Sequence, residues 1–194
     1  NTPVITVTPE NVLEVDGKVI SEAEQTRLWL YYKPVGLITT HKDPQNRPTV
    51  FGALKAYLPR VISVGRLDLN SEGLLLLTNS GTLAQELESP KNNFARVYKV
   101  RAHGKVSSLI TYIIHNKSRP LTIDNITYTP KSIRLISEGV TNSWFEVILT
   151  EGKNREIRKI FAYFSLKVNR LIRVKYGKYD LGNLKPGEFK EVRV

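Results

Sequence analysis

Asp68 is the residue of this chain whose surroundings most favour chemistry. It has apolar neighbours on both sides, Leu67 and Leu69, and Gly65 and Gly73 bracket the segment. Glycine gives the backbone freedom to adopt unusual turns, and apolar neighbours can hold a carboxylate in place. A carboxylate in such a setting can act as a nucleophile or exchange protons with a substrate. The segment therefore predicts a reactive group at position 68.

Two other places carry residues suited to a nucleic-acid substrate. Tyr98 stands beside Lys99, and an aromatic ring near cations can stack on a nucleobase. Arg155 and Arg158 are three residues apart on a predicted helix, which places them on one side of it. Each residue alone also has an ordinary interpretation: Asp68 as a turn or cap, Tyr98 as a core aromatic, the arginines as a solvated face.

Several other kinds of site are disfavoured by the sequence. The three histidines, His41, His103 and His115, lie in unrelated segments without metal-ligand spacing. The glycine patterns that bind nucleotide phosphates do not occur. The chain has no cysteine, which excludes disulfides and thiolate metal sites and fits a reducing compartment. The sequence thus predicts neither a metal nor a cofactor.

The excess of positive over negative charge lies entirely in the second half of the chain. The net charge is +11, yet residues 1–97 contain 10 basic and 10 acidic side chains, whereas residues 98–194 contain 19 and 8. A one-sided basic surface is typical of polyanion binders. Nucleic acid is the first interpretation and an acidic membrane surface the second. Because no apolar run approaches the roughly 20 residues of a membrane span, we expect no membrane insertion.

Short strands and helices must position these residues. Strands are predicted at 28–32, 35–40, 61–64, 74–78, 95–101, 121–123, 131–136, 144–149 and 171–176, and helices at 49–57, 82–88, 105–116 and 155–164. The last helix has one clear apolar stripe at Ile157, Ile160, Phe161 and Phe164. Strands outnumber helices and the links are short, which predicts an α+β fold with a largely antiparallel sheet.

Four ordered motifs resemble the pseudouridine synthases, and among them the RsuA-type branch that acts on ribosomal RNA. Together with the fitting segment 171–177, the motifs span much of the chain. They are Lys33-Pro34-Val35-Gly36, Gly65-Arg66-Leu67-Asp68 with its surroundings, Arg96-Val97-Tyr98-Lys99-Val100, and residues 151–161. One departure is that Arg155-Glu156 stands where distant relatives carry His-Gln.

The resemblance implies a role for each candidate residue. Asp68 would be the catalytic aspartate, Tyr98 would stack on the target base and assist proton transfer, and Arg158 would pair with Asp68 and keep it ionised and oriented. The substrate pocket would include Arg66, Ile157 and Leu171. The RNA-binding residues would be Lys33, Arg47, Lys153, Arg155 and Arg173.

The resemblance also implies the fold and the reaction. We expect a mixed sheet flanked by helices, with two subdomains around a central cleft. The reaction would isomerise a uridine of ribosomal RNA, in the large subunit (23S), to pseudouridine by flipping the base out of its stack. We expect a cytoplasmic monomer whose partner is ribosomal RNA, needing no cofactor. Two alternatives stay open: a non-catalytic rRNA-binding or ribosome-assembly protein, and a sister synthase with another target uridine.

The same resemblance predicts the domain organisation. Residues 1–24 look like the remnant of an N-terminal S4-type RNA-binding domain with its linker, and Asp16-Gly17 is a hairpin turn signal. Residues 25–194 would form the catalytic domain, with subdomains at about 25–97 and 98–194. Asp68 lies in the neutral part, whereas Tyr98 and Arg158 lie in the basic part, so the site is expected to form between the two.

Overall fold

The computed structural model describes residues 13–20, 25–116 and 120–194. The helices in these ranges are α1 (Val50–Leu54), α2 (Gly81–Glu88), α3 (Ser107–Asn116) and α4 (Glu156–Tyr163), with a 3-10 turn at Pro90–Asn92. The strands are β1 (Leu13–Val15), β2 (Lys18–Ile20), β3 (Leu28–Lys33), β4 (Ile62–Val64), β5 (Glu72–Thr78), β6 (Arg96–His103), β7 (Leu121–Ile123), β8 (Ile126–Tyr128), β9 (Ser132–Ser137), β10 (Asn142–Leu149), β11 (Lys167–Tyr176), β12 (Tyr179–Asp180) and β13 (Phe189–Val192). No helix in the described ranges has the length and apolar character needed to cross a bilayer.

One nine-stranded sheet organises the molecule. Its strand order is β13-β3-β5-β11-β6-β10-β9, with β4 paired to β5 and β12 paired to β11. Every pair in this sheet is antiparallel except β5 with β11, which run parallel through the pairs Ile172–Glu72 and Arg173–Gly73. The prediction of an α+β fold with a largely antiparallel sheet is confirmed.

The apolar run Leu74–Leu77 forms the part of β5 that is buried on both faces. Leu74 and Leu76 pack into one hydrophobic cluster and Leu75 and Leu77 into another, because successive side chains of a strand point to opposite faces. A strand covered on both sides has no polar face, which explains the unbroken apolar run. This strand carries the Asp68 segment at its beginning.

The two halves of the sequence interlock in space. A cluster of the second half, which includes Val100, Phe145 and Phe161, packs α3 and α4 on the sheet. Residues near the C-terminus instead join the first half: Tyr176 and Tyr179 pack with the Leu74 cluster, and β13 pairs with β3. A division into subdomains near residue 97 stays a proposal, and these contacts place β11 at the junction.

Several local predictions are confirmed. The hairpin turn at Asp16-Gly17 joins β1 to β2, with φ values of 52° and 75° that match a type I′ turn. Thr49, the first residue of the helix predicted at 49–57, caps α1, since its hydroxyl accepts a hydrogen bond from the Gly52 N–H at 3.0 Å. The stripe predicted for α4 is buried at Ile157, Ile160 and Phe161.

The strand predicted at residues 35–40 is wrong. Gly36 has φ of 93° in a turn, and the segment keeps a single β-bridge, from Ile38 to Thr49. Its backbone serves another segment, because the Gly36 N–H donates to the carbonyl oxygen of Leu69 at 2.9 Å. The short strands β8, β12 and β13 were not predicted, since two to four residues carry too little periodicity to identify a strand.

Candidate active site

Asp68 lies in the loop of residues 65–71, between β4 and β5, and this loop is held by its backbone. The buried ammonium of Lys33 donates to the carbonyl oxygens of Asp68 at 3.1 Å and Ser71 at 2.9 Å, and also to Pro34 at 3.0 Å. The Thr39 hydroxyl donates to the Leu67 carbonyl at 2.9 Å. The loop therefore has fixed anchors on both sides of Asp68.

Arg158 anchors the same loop from the second half of the chain. Its guanidinium donates to the carbonyl oxygens of Asn70 at 2.7 Å and Val168 at 2.9 Å. A helix of the basic half and a loop of the neutral half are thereby joined next to Asp68. The Asp68 side chain itself is 40% exposed, so a rigid backbone presents an accessible carboxylate.

Lys33 is fully buried, which corrects the prediction that it binds RNA. Burial lowers the pKa of its ammonium to about 8, and the nearby charges of Asp68 and Glu72 oppose this shift. Its three carbonyl acceptors explain why a lysine is found in the core. Lys33 supports the loop and does not reach a surface.

A cleft with a volume of about 1080 Å³ opens in front of Asp68. It is formed by the Asp68 loop and other segments of the neutral half together with strands and loops of the basic half. Among the predicted residues it is lined by Arg66, Asp68, Tyr98, Lys153, Arg155, Ile157, Leu171 and Arg173. The expected convergence of the two halves is thus present, with an acid, an aromatic ring and apolar walls in one cavity.

The ion pair of Asp68 is formed by Arg155, whose Nη1 lies 3.7 Å from the Asp68 Oδ2. Arg158, the predicted partner, instead donates its hydrogen bonds to backbone carbonyls, and its side chain is not part of the cleft lining. Burial lowers the pKa of the Arg158 guanidinium, as does the charge of Arg155, whereas the charge of Asp68 raises it. Arg158 is therefore close enough for its charge to act on Asp68. It also holds the loop that carries Asp68, through its hydrogen bond to the Asn70 carbonyl.

Three other side chains predicted to bind RNA have partners within the protein, two of them acidic. Arg47 pairs with Asp43 at 2.7 Å, and hydrogen bonds from Arg47 lower the pKa of this carboxyl to about 2. Lys153 pairs with Glu151 and donates to the Thr127 carbonyl at 2.7 Å. Arg173 is only 3% exposed and donates to a backbone carbonyl, so it is a buried part of the cleft wall.

Glu156 is a buried acid of the cleft that sequence reasoning missed as a site residue. It is 3% exposed, and neither carboxyl oxygen has a hydrogen-bond donor in the described part of the chain. Burial raises its pKa to about 8, and the neighbouring Glu151 carboxylate adds to the shift. Since Glu156 immediately follows Arg155, a neutral acid stands one residue from the cation that pairs with Asp68.

We expect this acid to make stability pH-dependent. The folded chain keeps the Glu156 proton at pH values where the unfolded chain, with a pKa of 4.5, has lost it. The contribution is complete below that value and is lost as the pH rises through about 8, at up to about 1.4 kcal/mol per pH unit. Urea unfolding of Glu156→Gln between pH 5 and 8 should give a flatter profile than the unsubstituted chain. Glu86→Gln, an exposed acid on α2, is the control, and equal slopes for all three proteins would contradict the assignment.

Comparison with known proteins places this cleft in a family context. A family model described as RNA pseudouridylate synthase matches residues 27–163. An uncharacterized RNA pseudouridine synthase of Rickettsia typhi is 57% identical over 190 residues, which cover 98% of this chain and 76% of that protein. Ribosomal large subunit pseudouridine synthase B of Escherichia coli (strain K12) is 41% identical over 182 residues, covering 91% of this chain and 62% of that protein.

Solved structures agree on the fold. A crystal structure of a pseudouridylate synthase has a TM-score of 0.73 at 22% identity, over 97% of this chain and 80% of that one. The archaeal box H/ACA Nop10–Cbf5 complex contains a chain with a TM-score of 0.60 at 17% identity, over 79% of this chain and 49% of that one. At these identities the likeness concerns the fold alone.

Proposed function

This chain belongs to the RNA pseudouridylate synthase family, and from that premise we propose that it converts a uridine of large-subunit ribosomal RNA to pseudouridine, with Asp68 as its catalytic residue. Enzymes of this family are isomerases that act on RNA. The choice of large-subunit RNA is supported by the 41% identity to pseudouridine synthase B. The observation that carries the role of Asp68 is its accessible carboxylate on a loop pinned by Lys33, Thr39 and Arg158.

The reaction exchanges one bond of the nucleotide for another. The glycosidic bond from N1 to C1′ breaks, the base turns while it is held in the cleft, and C5 forms the new bond to C1′. The proton on C5 then leaves and N1, freed from C1′, takes up a proton, so atoms balance without an oxidant or a second substrate. Asp68 can serve by attacking the base, by attacking C1′ or by removing the 2′ proton, and each route requires a carboxylate held against the ribose and base.

The walls of the cleft suit a base that has left its stack. Tyr98 would lie against the ring of the uracil, and Ile157 and Leu171 would form apolar contacts on its sides. Extracting the base costs a few kcal/mol of stacking energy. Contacts of Arg66 and Arg155 with the RNA backbone would offset part of that cost, because both are exposed at the cleft.

Arg158 is proposed to orient Asp68 through the backbone. Its bond to the Asn70 carbonyl fixes the loop two residues after the catalytic carboxylate. Arg155 would keep its ion pair with Asp68 until RNA phosphates compete for it. Both roles are compatible with the positions of the two guanidinium groups.

The remaining expectations concern the whole protein. Residues 1–24 are proposed as the end of an S4-type RNA-binding domain, of which 1–12 and 21–24 lie outside the described residues. Residues 25–194 would be the catalytic domain, at work in the cytoplasm as a monomer on ribosomal RNA. The chain covers 62% of pseudouridine synthase B, so the substrate range of the complete protein is part of the proposal.

Pseudouridine mapping of ribosomal RNA tests the function. RNA from cells with and without the gene should differ at one uridine of the large-subunit RNA, and the purified protein should restore that modification in vitro. Small-subunit RNA of the same cells is the internal control. A modification lost from the small-subunit RNA would instead identify a sister synthase. The proposal would be refuted if cells with and without the gene gave identical maps for the RNA of both subunits.

A further inference from the structure

Two arginines share one buried tyrosine on the wall of the cleft. The Arg96 Nη2 donates to the Tyr176 hydroxyl at 2.9 Å, and that hydroxyl donates to the Leu87 carbonyl at 2.9 Å. The guanidinium carbons of Arg96 and Arg173 lie 4.9 Å and 5.2 Å from the centroid of the Tyr176 ring. Because Tyr176 is 1% exposed and its hydroxyl is fixed, the three side chains form a rigid group.

This group has positive charge without a protein counter-ion. Neither Arg96 nor Arg173 forms an ion pair within the described ranges. Arg173 is almost fully buried, and its Nη2 has no acceptor at all in the described structure. Buried charges are ordinarily paired, since removing an ion from water is costly unless another charge compensates it. Two uncompensated guanidinium groups on one wall therefore indicate an anion that arrives with the ligand.

The group lies beside the residue proposed to stack on the base. Arg96 and Tyr98 are two residues apart on β6 and so share a face, separated by about 7 Å along the strand. In the neighbouring strand Arg173 is opposite Tyr98 and Tyr176 is opposite Arg96. An RNA strand whose base meets Tyr98 would bring a backbone phosphate of the same or adjacent nucleotide to Arg96.

Gly152 leaves space for the Arg96 guanidinium. A Cβ atom at position 152 would lie 3.3 Å from the Arg96 Nη1, a tighter contact than most Cβ atoms make, so the guanidinium would have to shift by a few tenths of an ångström. The turn after β10 thus passes close to Arg96 without covering it. Both Gly152 and Arg96 line the same cleft as Asp68.

We propose that Arg96 binds a backbone phosphate next to the target nucleotide. Arg173, which packs on the same Tyr176 ring, strengthens this anion site with its buried charge. The inference rests on the proposed function, because it assumes that Tyr98 meets the target base. In this arrangement Tyr176 orients Arg96, and the phosphate supplies the negative charge that the wall lacks. The site binds the RNA strand by its backbone and carries no sequence information.

The test is the salt dependence of RNA binding. A 20-nucleotide single-stranded oligouridylate is titrated at several salt concentrations with the full chain, Arg96→Gln, Arg96→Lys and Arg60→Gln, an exposed arginine outside the cleft lining. Loss of one phosphate contact should lower the slope of log affinity against log salt by about 0.7 in Arg96→Gln. Affinity at low salt should fall by roughly ten-fold to a hundred-fold, as for a hydrogen bond to a charged group.

The matched variants separate charge from structure. Arg96→Lys keeps the charge but not the planar fork, so a phosphate site predicts a slope near that of the unsubstituted chain. Arg60→Gln should change both slope and affinity little. A normal slope in Arg96→Gln, or an equal loss in Arg96→Lys and Arg96→Gln, would overturn the proposal, because either result would mean that Arg96 acts only by supporting Tyr176.

A parallel assay keeps the two proposals apart. Tritium release from 5-tritiated uridine in large-subunit RNA measures the isomerase activity of the unsubstituted chain. Release by that chain, with an unchanged salt slope in Arg96→Gln, would leave the proposed function intact and remove the phosphate site. No release by that chain would count against the large-subunit substrate, whereas the oligouridylate titration would still decide whether Arg96 binds a phosphate.

Discussion

Asparagine at position 68 is expected to stop isomerisation while leaving RNA binding intact. The amide has the shape of the carboxylate but neither its charge nor its nucleophilicity, so turnover should fall by roughly 10⁴-fold or more. The loop should keep its conformation, because Lys33 bonds to the backbone carbonyl of Asp68 and not to its side chain. Tritium release from 5-tritiated uridine in large-subunit RNA measures turnover, and filter binding measures affinity.

Stability should change little in the same variant. The ion pair that Asp68→Asn removes joins two side chains exposed by 40% and 48%, and such pairs contribute about 0 to 1 kcal/mol. Asp124→Asn, in an exposed turn between β7 and β8, serves as the control for a lost carboxylate and should retain full activity. Tritium release by Asp68→Asn at the control's rate would falsify the catalytic assignment.

Alanine at position 73 is expected to destabilise the fold more than any other small substitution considered. Gly73 has φ of 103°, and a Cβ there would lie 2.3 Å from the backbone oxygen of Arg173. The close approach is where β5 and β11 run parallel, so relief would require the two strands to separate. Backbone strain of about 1–3 kcal/mol and overpacking of about 1–3 kcal/mol together should remove a large part of the free energy of unfolding.

Gly187→Ala separates these two contributions. Gly187 has φ of 90°, but a Cβ there would meet no heavy atom within 4 Å, so the variant carries strain without a clash. Urea unfolding followed by circular dichroism should show Gly73→Ala weakened by at least about 1 kcal/mol more than Gly187→Ala. Equal midpoints for the two variants would mean that β5 and β11 adjust to each other more easily than their contact distance indicates.

Local patterns predicted those features whose partners are close in sequence. The apolar stripe of α4, the cap at Thr49 and the turn at Asp16-Gly17 depend on neighbours within a few residues, and all three are present. The convergence of Asp68 and Tyr98 on one cleft followed from the resemblance and not from periodicity, and the cleft lining contains both. The family motifs were therefore sufficient to predict that these two residues line one cleft.

Partners distant in sequence determine what the sequence did not predict. Lys33 was predicted to be an exposed cation, but its ammonium is buried because carbonyl oxygens up to 38 residues away accept its hydrogen bonds. Residues 35–40 have the composition of a strand, yet their backbone bonds to the Asp68 loop. Arg173 and Lys175 are two residues apart on β11 and would share a face of a regular strand. The register shifts between them, however, and Arg173 is buried whereas Lys175 is exposed. None of these outcomes is encoded by spacing within a single segment.

The single parallel pairing also has a consequence for how the chain is made. β5 and its Asp68 loop emerge from the ribosome about 100 residues before β11, the strand that covers the Gly73 end of β5. During that interval β4 covers one end of this apolar strand, but its Gly73 end has an open edge. The segment of residues 1–97 has equal numbers of acidic and basic groups, so no net charge keeps nascent chains apart. The cleft can close only after β11 has been synthesised, and until then the Asp68 half of the site is the part that chaperones would need to protect.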